Sequence, residues 1–329
     1  MAINTVDSTI ADSDLGVTLM HEHVLLNLTA EYRGGGLLNN EALMVEELKR
    51  FVAAGGRSLV ELTPAELTVG AAPDPAGALG PEPADDFGWR SRTPSSVLAL
   101  QRVARAAGVN VIAGTGHYRD PYLAGGWLDA HSVNVIADVM VGDIEEGISG
   151  TNVRAGIIGE IGADKWYISA LEERSFRAAA RAQKRTGVAL TTHAARWPVG
   201  IAQLDLMAEE GVDPRRVIIG HCDSVPIPRY HRALAERGAF VQFDTIRNES
   251  EQQVEQGVRL VHQMVEAGFA SQVLLSHDVC TTSQLKSSGG CGFDFVVTTF
   301  TERLLEAGIP AEIVQQIIED NPRRALAGQ

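Results

Sequence analysis

Cysteine is scarce in this chain of 329 residues: Cys222, Cys280 and Cys291 are the full set. Three is an odd number and their spacing matches no metal finger, which argues against a disulfide framework and points to a reducing, cytoplasmic setting. Positive charge is also short. Lys and Arg number 28 against 42 Asp and Glu, for a net charge of -14. Nucleic acid and anionic membrane surfaces both need concentrated positive charge, so neither is an expected partner. No apolar run is long enough to span a bilayer. The opening stretch MAINTVDSTIADSD is acidic and has no apolar centre, so it does not read as a signal peptide. The partner left by these exclusions is a small-molecule substrate.

What the chain does have is hydrophobic residues, 45% of the total, enough for one large core spanning 1–329. Eight apolar, β-rich segments occur at 17–20, 58–63, 109–116, 155–162, 188–193, 216–221, 239–244 and 272–278. Segments with helical spacing separate nearly all of them, at 41–54, 95–107, 133–148, 172–185, 201–210, 229–237 and 251–267, and two more (293–307 and 311–319) close the chain. Strands alternating with helices predict a (β/α)8 TIM barrel with a short N-terminal extension. The rival, an open doubly wound sheet, would carry a glycine-rich phosphate loop after its first strand, where HEHV stands instead. The stretch 64–94, rich in Pro, Gly, Ala and Asp, reads as a long loop insertion after strand two and a candidate lid.

The first strand runs into VTLMHEHV, residues 17–24. Side chains two apart on a strand share a face, so His21 and His23 aim into one space while Glu22 points elsewhere. An H-x-H pair alone says little, but further ligand-type residues follow at the ends of later strands. Glu160 ends strand four, His193 strand five, His221 strand six and Asp278 strand eight. Barrel enzymes place their chemistry on that rim. Six such groups exceed the roughly three protein ligands of a single catalytic zinc. They suit two divalent ions roughly 4 Å apart sharing a carboxylate and a hydroxide. Zinc is the first expectation, and manganese, cobalt and iron accept the same donors.

The pieces TLMHEHV, GIIGEIG, TTHAAR, IIGH, LLSHDVC and EDNPRRAL together resemble the phosphotriesterase-related family of the amidohydrolase superfamily. They span nearly the whole chain outside the 64–94 insertion. The resemblance implies that His21, His23 and Asp278 hold a more buried metal, that His193 and His221 hold a more exposed one, and that Glu160 bridges them. Many members bridge with a carbamylated lysine; here Glu160 stands in that place, and Lys165 lies beyond the strand end. The organophosphate-degrading members carry a histidine just after the strand-seven Asp, where this chain has Thr245 after Asp244. That departure argues against efficient phosphotriester hydrolysis.

The implied reaction is hydrolysis of a carboxylic ester, a lactone foremost, by attack of a metal-bridging hydroxide. Asp278 takes the proton and delivers it to the leaving group. An N-acyl amide is the runner-up, and phosphotriester turnover is expected to be promiscuous. Tyr118 and Arg247 are the substrate-binding candidates: Tyr118 to contact a carbonyl oxygen, Arg247 to hold a substrate carboxylate or line the leaving-group pocket. Arg119 and Arg196 are candidate anion binders, and Cys280 and Trp89 candidate pocket linings. His117, His131, His231, His262 and His277 read as packed or solvated. From a different class, a metal-bearing binding protein could close its Pro-rich loop over a ligand without turnover, although such a protein would not need a hydroxide-generating pair. The resemblance also implies a possible homodimer.

Overall fold

In the computed structural model, residues 2–72 and 89–328 are described. Eight strands form one sheet: β1 (Thr18–Glu22), β2 (Ser58–Glu61), β3 (Asn110–Thr115), β4 (Ile157–Gly162), β5 (Leu190–His193), β6 (Val217–Ile219), β7 (Phe240–Phe243) and β8 (Val273–Leu275). Their spatial order is their chain order, and every neighbouring pair is parallel. Backbone contacts bring the two ends of the sheet together, because Asp278 N–H donates to the His21 carbonyl at 3.1 Å and His21 N–H donates to Ser276 Oγ at 2.9 Å. The fold is a (β/α)8 barrel.

Its interior is one apolar plug with a residue from each strand or its first step: Met20, Val60, Ile112, Ile157, Ala189, Ile218, Phe240 and Leu274. Ile3 and Leu15 from the N-terminal extension and Ala325 and Leu326 from the last helix pack against this plug. Alternation then turns the neighbouring strand residues outward, where Leu19, Leu59, Val111, Ile158 and Val241 meet the helices.

The helices begin where the sequence supplies caps. Asn40 accepts from Leu43 N–H ahead of α1 (Glu41–Ala53), and Thr93 accepts from Ser96 N–H ahead of α2 (Pro94–Ala107), which opens on Pro94. Ser169 and Glu172 cap each other at the start of α4 (Ala170–Thr186), after α3 (Val133–Glu145). The outer ring continues with α5 (Gly200–Glu209), α6 (Pro228–Glu236) and α7 (Glu251–Glu266). Among the described residues, no helix is long and apolar enough to cross a membrane.

Two expectations shift. All the observed strands but β1 are shorter than the apolar runs, most clearly β8, because His277 and Asp278 leave the ladder to bond Glu22 and His21. The insertion at 64–94 begins with a single 3-10 turn, Ala65–Leu67; residues 73–88, the centre of the expected lid, lie outside the described residues.

Candidate active site

The rim of the barrel gathers all six residues singled out at the strand ends. His21 lies within β1 and His23 one residue past it; Glu160 lies within β4, and His193 is the last residue of β5. His221 and Asp278 follow β6 and β8 in the left-handed backbone region, with φ of 53° and 52°. Few residues other than glycine adopt that conformation, and it tends to occur where the surrounding structure fixes a functional side chain. Five of the six are buried, and Asp278 alone is partly exposed.

Glu160 is the hub. Its Oε1 lies 3.5 Å from His23 Nε2, while Oε2 lies 3.4 Å from His21 Nε2, 3.0 Å from His193 Nδ1 and 3.3 Å from His221 Nε2. Asp278 Oδ1 faces His23 Nε2 at 3.2 Å and His21 Nε2 at 3.8 Å. Among the described residues, three sets of donors are compact enough to hold one ion: His21–His23–Asp278 and Glu160–His193–His221, which together use all six residues, and His21–His221–Asp244, which overlaps both. Close packing holds the hub in place: a Cβ added at Gly159, where φ is 121°, would lie 2.3 Å from the Thr191 carbonyl oxygen.

The donor set fits divalent metal on a second count. Both ring nitrogens of His21 and Nε2 of His193 are buried without an aligned hydrogen-bond partner, a costly condition unless something else satisfies them. His193 Nδ1 and His221 Nε2 face each other at 2.8 Å, so without an ion one of them must carry a proton. Imidazole and carboxylate donors of this kind suit first-row divalent ions.

Without an ion, protons neutralise the cage. Burial resists charging His21, but the carboxylates of Glu160 and Asp244 outweigh it and lift the ring from 6.5 to about 10. His221 rises in the same way, burial again being overcome by Asp244 and then Glu160. Glu160 goes the other way: burial alone would raise it, but His21 and hydrogen bonds from the histidines hold it well below the usual range. A raised histidine stabilises the fold fully below its unfolded value, and this contribution is lost as pH climbs through the folded one. The metal-stripped protein is therefore expected to lose thermal stability between pH 6.5 and about 10. A flat melting temperature over that window, followed by calorimetry, would contradict this reading of the cage.

The surrounding pocket, about 190 Å³, is lined by apolar groups (Leu26, Leu28, Leu67) and by both substrate candidates. Tyr118 is buried with its ring edge-on to His193 at 5.2 Å. Burial pushes its phenol up, so it stays a neutral donor. Arg247 lines the pocket, but its head is turned inward: it donates to Asp278 Oδ2 at 2.9 Å and to the His277 carbonyl at 2.7 Å. As a clamp for a substrate carboxylate it is already engaged. Arg119 is similarly held between Glu31 at 2.5 Å and Asp164 at 3.1 Å, whereas Arg196 is exposed at the mouth, 3.6 Å from Asp164. Cys280 lines the pocket with its thiol pushed up by burial; Trp89 is not among the lining residues.

The other histidines are structural. His277 Nδ1 pairs with Glu22 at 2.8 Å, His117 pairs with Glu66 and stacks on Trp127, His131 and His231 bond backbone carbonyls, and His262 lies near Glu266 on a helix surface. Lys165 pairs with Asp120 at 3.2 Å, away from the Glu160 position.

Comparison with known proteins fits this arrangement. The profile of the phosphotriesterase family matches residues 1–71 and 92–326. The chain belongs to that family. The phosphotriesterase homology protein of Escherichia coli is 33% identical over 308 residues, 93% of this chain and 96% of the relative. A crystal structure of that Escherichia coli protein with phosphate in its active site superposes with a TM-score of 0.81, covering 94% of this chain and 98% of the other at 32% identity. An aryldialkylphosphatase from Saccharolobus solfataricus is 28% identical, covering 96% of each chain. An N-acetyltaurine hydrolase from Mus musculus is 26% identical over 98% of this chain and 97% of its own.

Within this phosphotriesterase-family site, two carboxylates matter beyond those singled out from sequence. Asp244 accepts from His221 Nδ1 at 2.7 Å and lies 3.0 Å from His21 Nδ1, though without the alignment of a hydrogen bond there. It ends an apolar strand on the same rim, the same signal that pointed to the other six. Glu22, the middle residue of HEH, accepts from His277 N–H at 2.8 Å and Val279 N–H at 3.0 Å, bracketing the Asp278 peptide. Thr245, where the organophosphate enzymes have histidine, donates from N–H and Oγ1 to Asp223.

Proposed function

We propose that this chain is a hydrolase of small carboxylic esters, lactones foremost, working with two divalent ions. The observation that carries the reading is the division of Glu160, one oxygen toward His23 and the other toward His21, His193 and His221. That pattern asks for one ion on each side. Such a pair would bring water to the point of deprotonation near neutral pH and polarise the substrate carbonyl.

The chain's own groups supply the rest. Asp278, partly exposed toward the pocket, receives the proton of the attacking water and returns it to the leaving group. Burial alone would raise its pKa, but the His23 bond and the Arg247 charge hold it low, so it is available as a base. Glu22 and Arg247 fix its backbone and Oδ2, leaving Oδ1 toward the imidazoles. Tyr118, whose ring lies edge-on to His193, would donate to the carbonyl oxygen.

The charge arrangement favours a neutral substrate. The two deeper cations, Arg119 and Arg247, already face carboxylates, so an anionic substrate gains little from them. An N-acyl amide is the second reading, favoured by the likeness to N-acetyltaurine hydrolase and by Arg196 at the mouth, which could meet an anionic tail.

A matched panel of lactones, aryl esters, N-acyl amino acids and a phosphotriester tests both readings. Lactones are expected to lead N-acyl amino acids in kcat/KM by on the order of 10²-fold, the scale a pocket's shape and polarity can impose. The reverse order would establish the amide reading. No turnover on any class with metal bound would make the protein a binder.

A further inference from the structure

The His23 ring is tied to the protein in a different way from those of His21 and His221. The latter two both face Asp244 through Nδ1. His23 Nδ1 instead lies 3.0 Å from Thr63 Oγ1, a hydroxyl just past β2. Thr63 in turn donates its proton to Glu61 Oε1 at 2.6 Å, and the same oxygen accepts from Val24 N–H at 3.2 Å. Glu61 Oε2 lies 2.6 Å from Arg92 Nη1, with both side chains fully buried. That last contact is one of charge against charge, without the alignment of a hydrogen bond.

Proton direction can be followed along this chain. Glu61 Oε1 already accepts from Val24 N–H and Oε2 faces the Arg92 guanidinium, so the carboxylate acts as an acceptor at both oxygens. The single proton of Thr63 is therefore committed to Glu61. A hydroxyl that has donated its proton offers lone pairs, so His23 must donate to it from Nδ1. In the neutral ring that a metal ligand must be, this leaves Nε2 bare on the side facing Glu160 Oε1 and Asp278 Oδ1. Resting on the metal-hydrolase reading above, we infer that Thr63 is a positioning residue: through Glu61 and Arg92 it fixes the His23 tautomer so that Nε2 is presented to metal.

The arrangement has a specific reason to exist. In the cage itself, Asp278 Oδ1 is close enough to draw a proton onto Nε2, the wrong tautomer for a ligand. Thr63 opposes that from the other side of the ring. Outer partners that orient a ligating histidine typically contribute 10–100-fold in metal affinity.

The test uses the full chain in three forms: wild type, Thr63→Val and Thr63→Ser. Valine keeps the shape and removes the hydroxyl; serine keeps the hydroxyl. Zinc is titrated against a competing chelator, bound zinc per chain is counted, and the proton-coupled nitrogen spectrum of the His23 ring is recorded in the zinc-loaded state. The expected result is roughly 10–100-fold weaker zinc binding in Thr63→Val at unchanged fold by circular dichroism. The hydrogen-bonded Nδ1–H resonance of His23 should also be lost, with both properties restored in Thr63→Ser. Equal zinc affinity in wild type and Thr63→Val would overturn the inference, and so would a Thr63→Ser as weak as Thr63→Val, since the hydroxyl would then be irrelevant. If valine prevents folding, the spectrum of metal-free wild type with the His23 ring neutral decides alone: a ring protonated on Nε2 overturns the inference and one protonated on Nδ1 supports it. Wild type that takes up no zinc, manganese, cobalt or iron would overturn the metal reading itself and this inference with it.

Discussion

Asp278→Asn is expected to keep its metal and lose turnover by roughly 10²–10⁴-fold, the range that a positioned proton-transfer group contributes. The substitution preserves volume and one carbonyl oxygen: with that oxygen kept toward the metal the bond from Arg247 to Oδ2 is given up, while the bond from Arg247 to the Asp278 carbonyl and the backbone bracket set by Glu22 persist. What it removes is the site that can take a proton. Asp278 is the only partly exposed member of the six, so it can meet both the attacking water and a leaving group in the pocket. Among the described residues no other pocket group is equally placed: Cys280 stays protonated, and Glu31 lies against Arg119. The measurement is kcat at saturating substrate alongside metal content. Near-normal turnover at full metal occupancy would remove Asp278 from the proton-transfer step. A fall that tracks lost metal would reduce it to a ligand.

How far the sequence foretold this site depends on how local each signal is. His21, His23, Glu160, His193, His221 and Asp278 each end an apolar run, and a barrel carries the ends of its strands to one rim. Asp244 obeyed the same rule, yet sequence marked it only as a landmark before Thr245. The Glu31–Arg119 pair joins residues 88 positions apart, and Thr63, Glu61 and Arg92 meet across a strand end and a loop, so periodicity alone cannot pair them. Arg247 shows another limit. Its place at the pocket follows from the loop after β7, but a long side chain can turn either way, and here it turns toward Asp278 rather than toward substrate. Strand lengths were overestimated for a related reason: apolar residues continue past the last ladder bond, where side chains such as Glu22 take over the backbone groups.

Glu160→Gln is the harsher test of the centre. Glutamine keeps the size of the bridging group but replaces one oxygen with an NH₂ that can only donate. Whichever way it turns, one of the two groups, His23 with its neighbours or His193 with His221, faces a donor instead of an acceptor. Bound metal is expected to fall from two ions per chain to one or none. Turnover should then fall on the order of 10³-fold, comparable to losing a group that stabilises developing charge at the reacting centre. The substitution also acts on the metal-free protein. Glu160 is the leading carboxylate holding His21 charged against burial, so without it less of the His21 stabilisation survives and the loss between pH 6.5 and about 10 should shrink. The two readouts are independent, one counting ions and one following unfolding in their absence. Two ions still bound and an unchanged pH slope would together show that Glu160 neither bridges metal nor charges the cage, and the shared-carboxylate reading would fall.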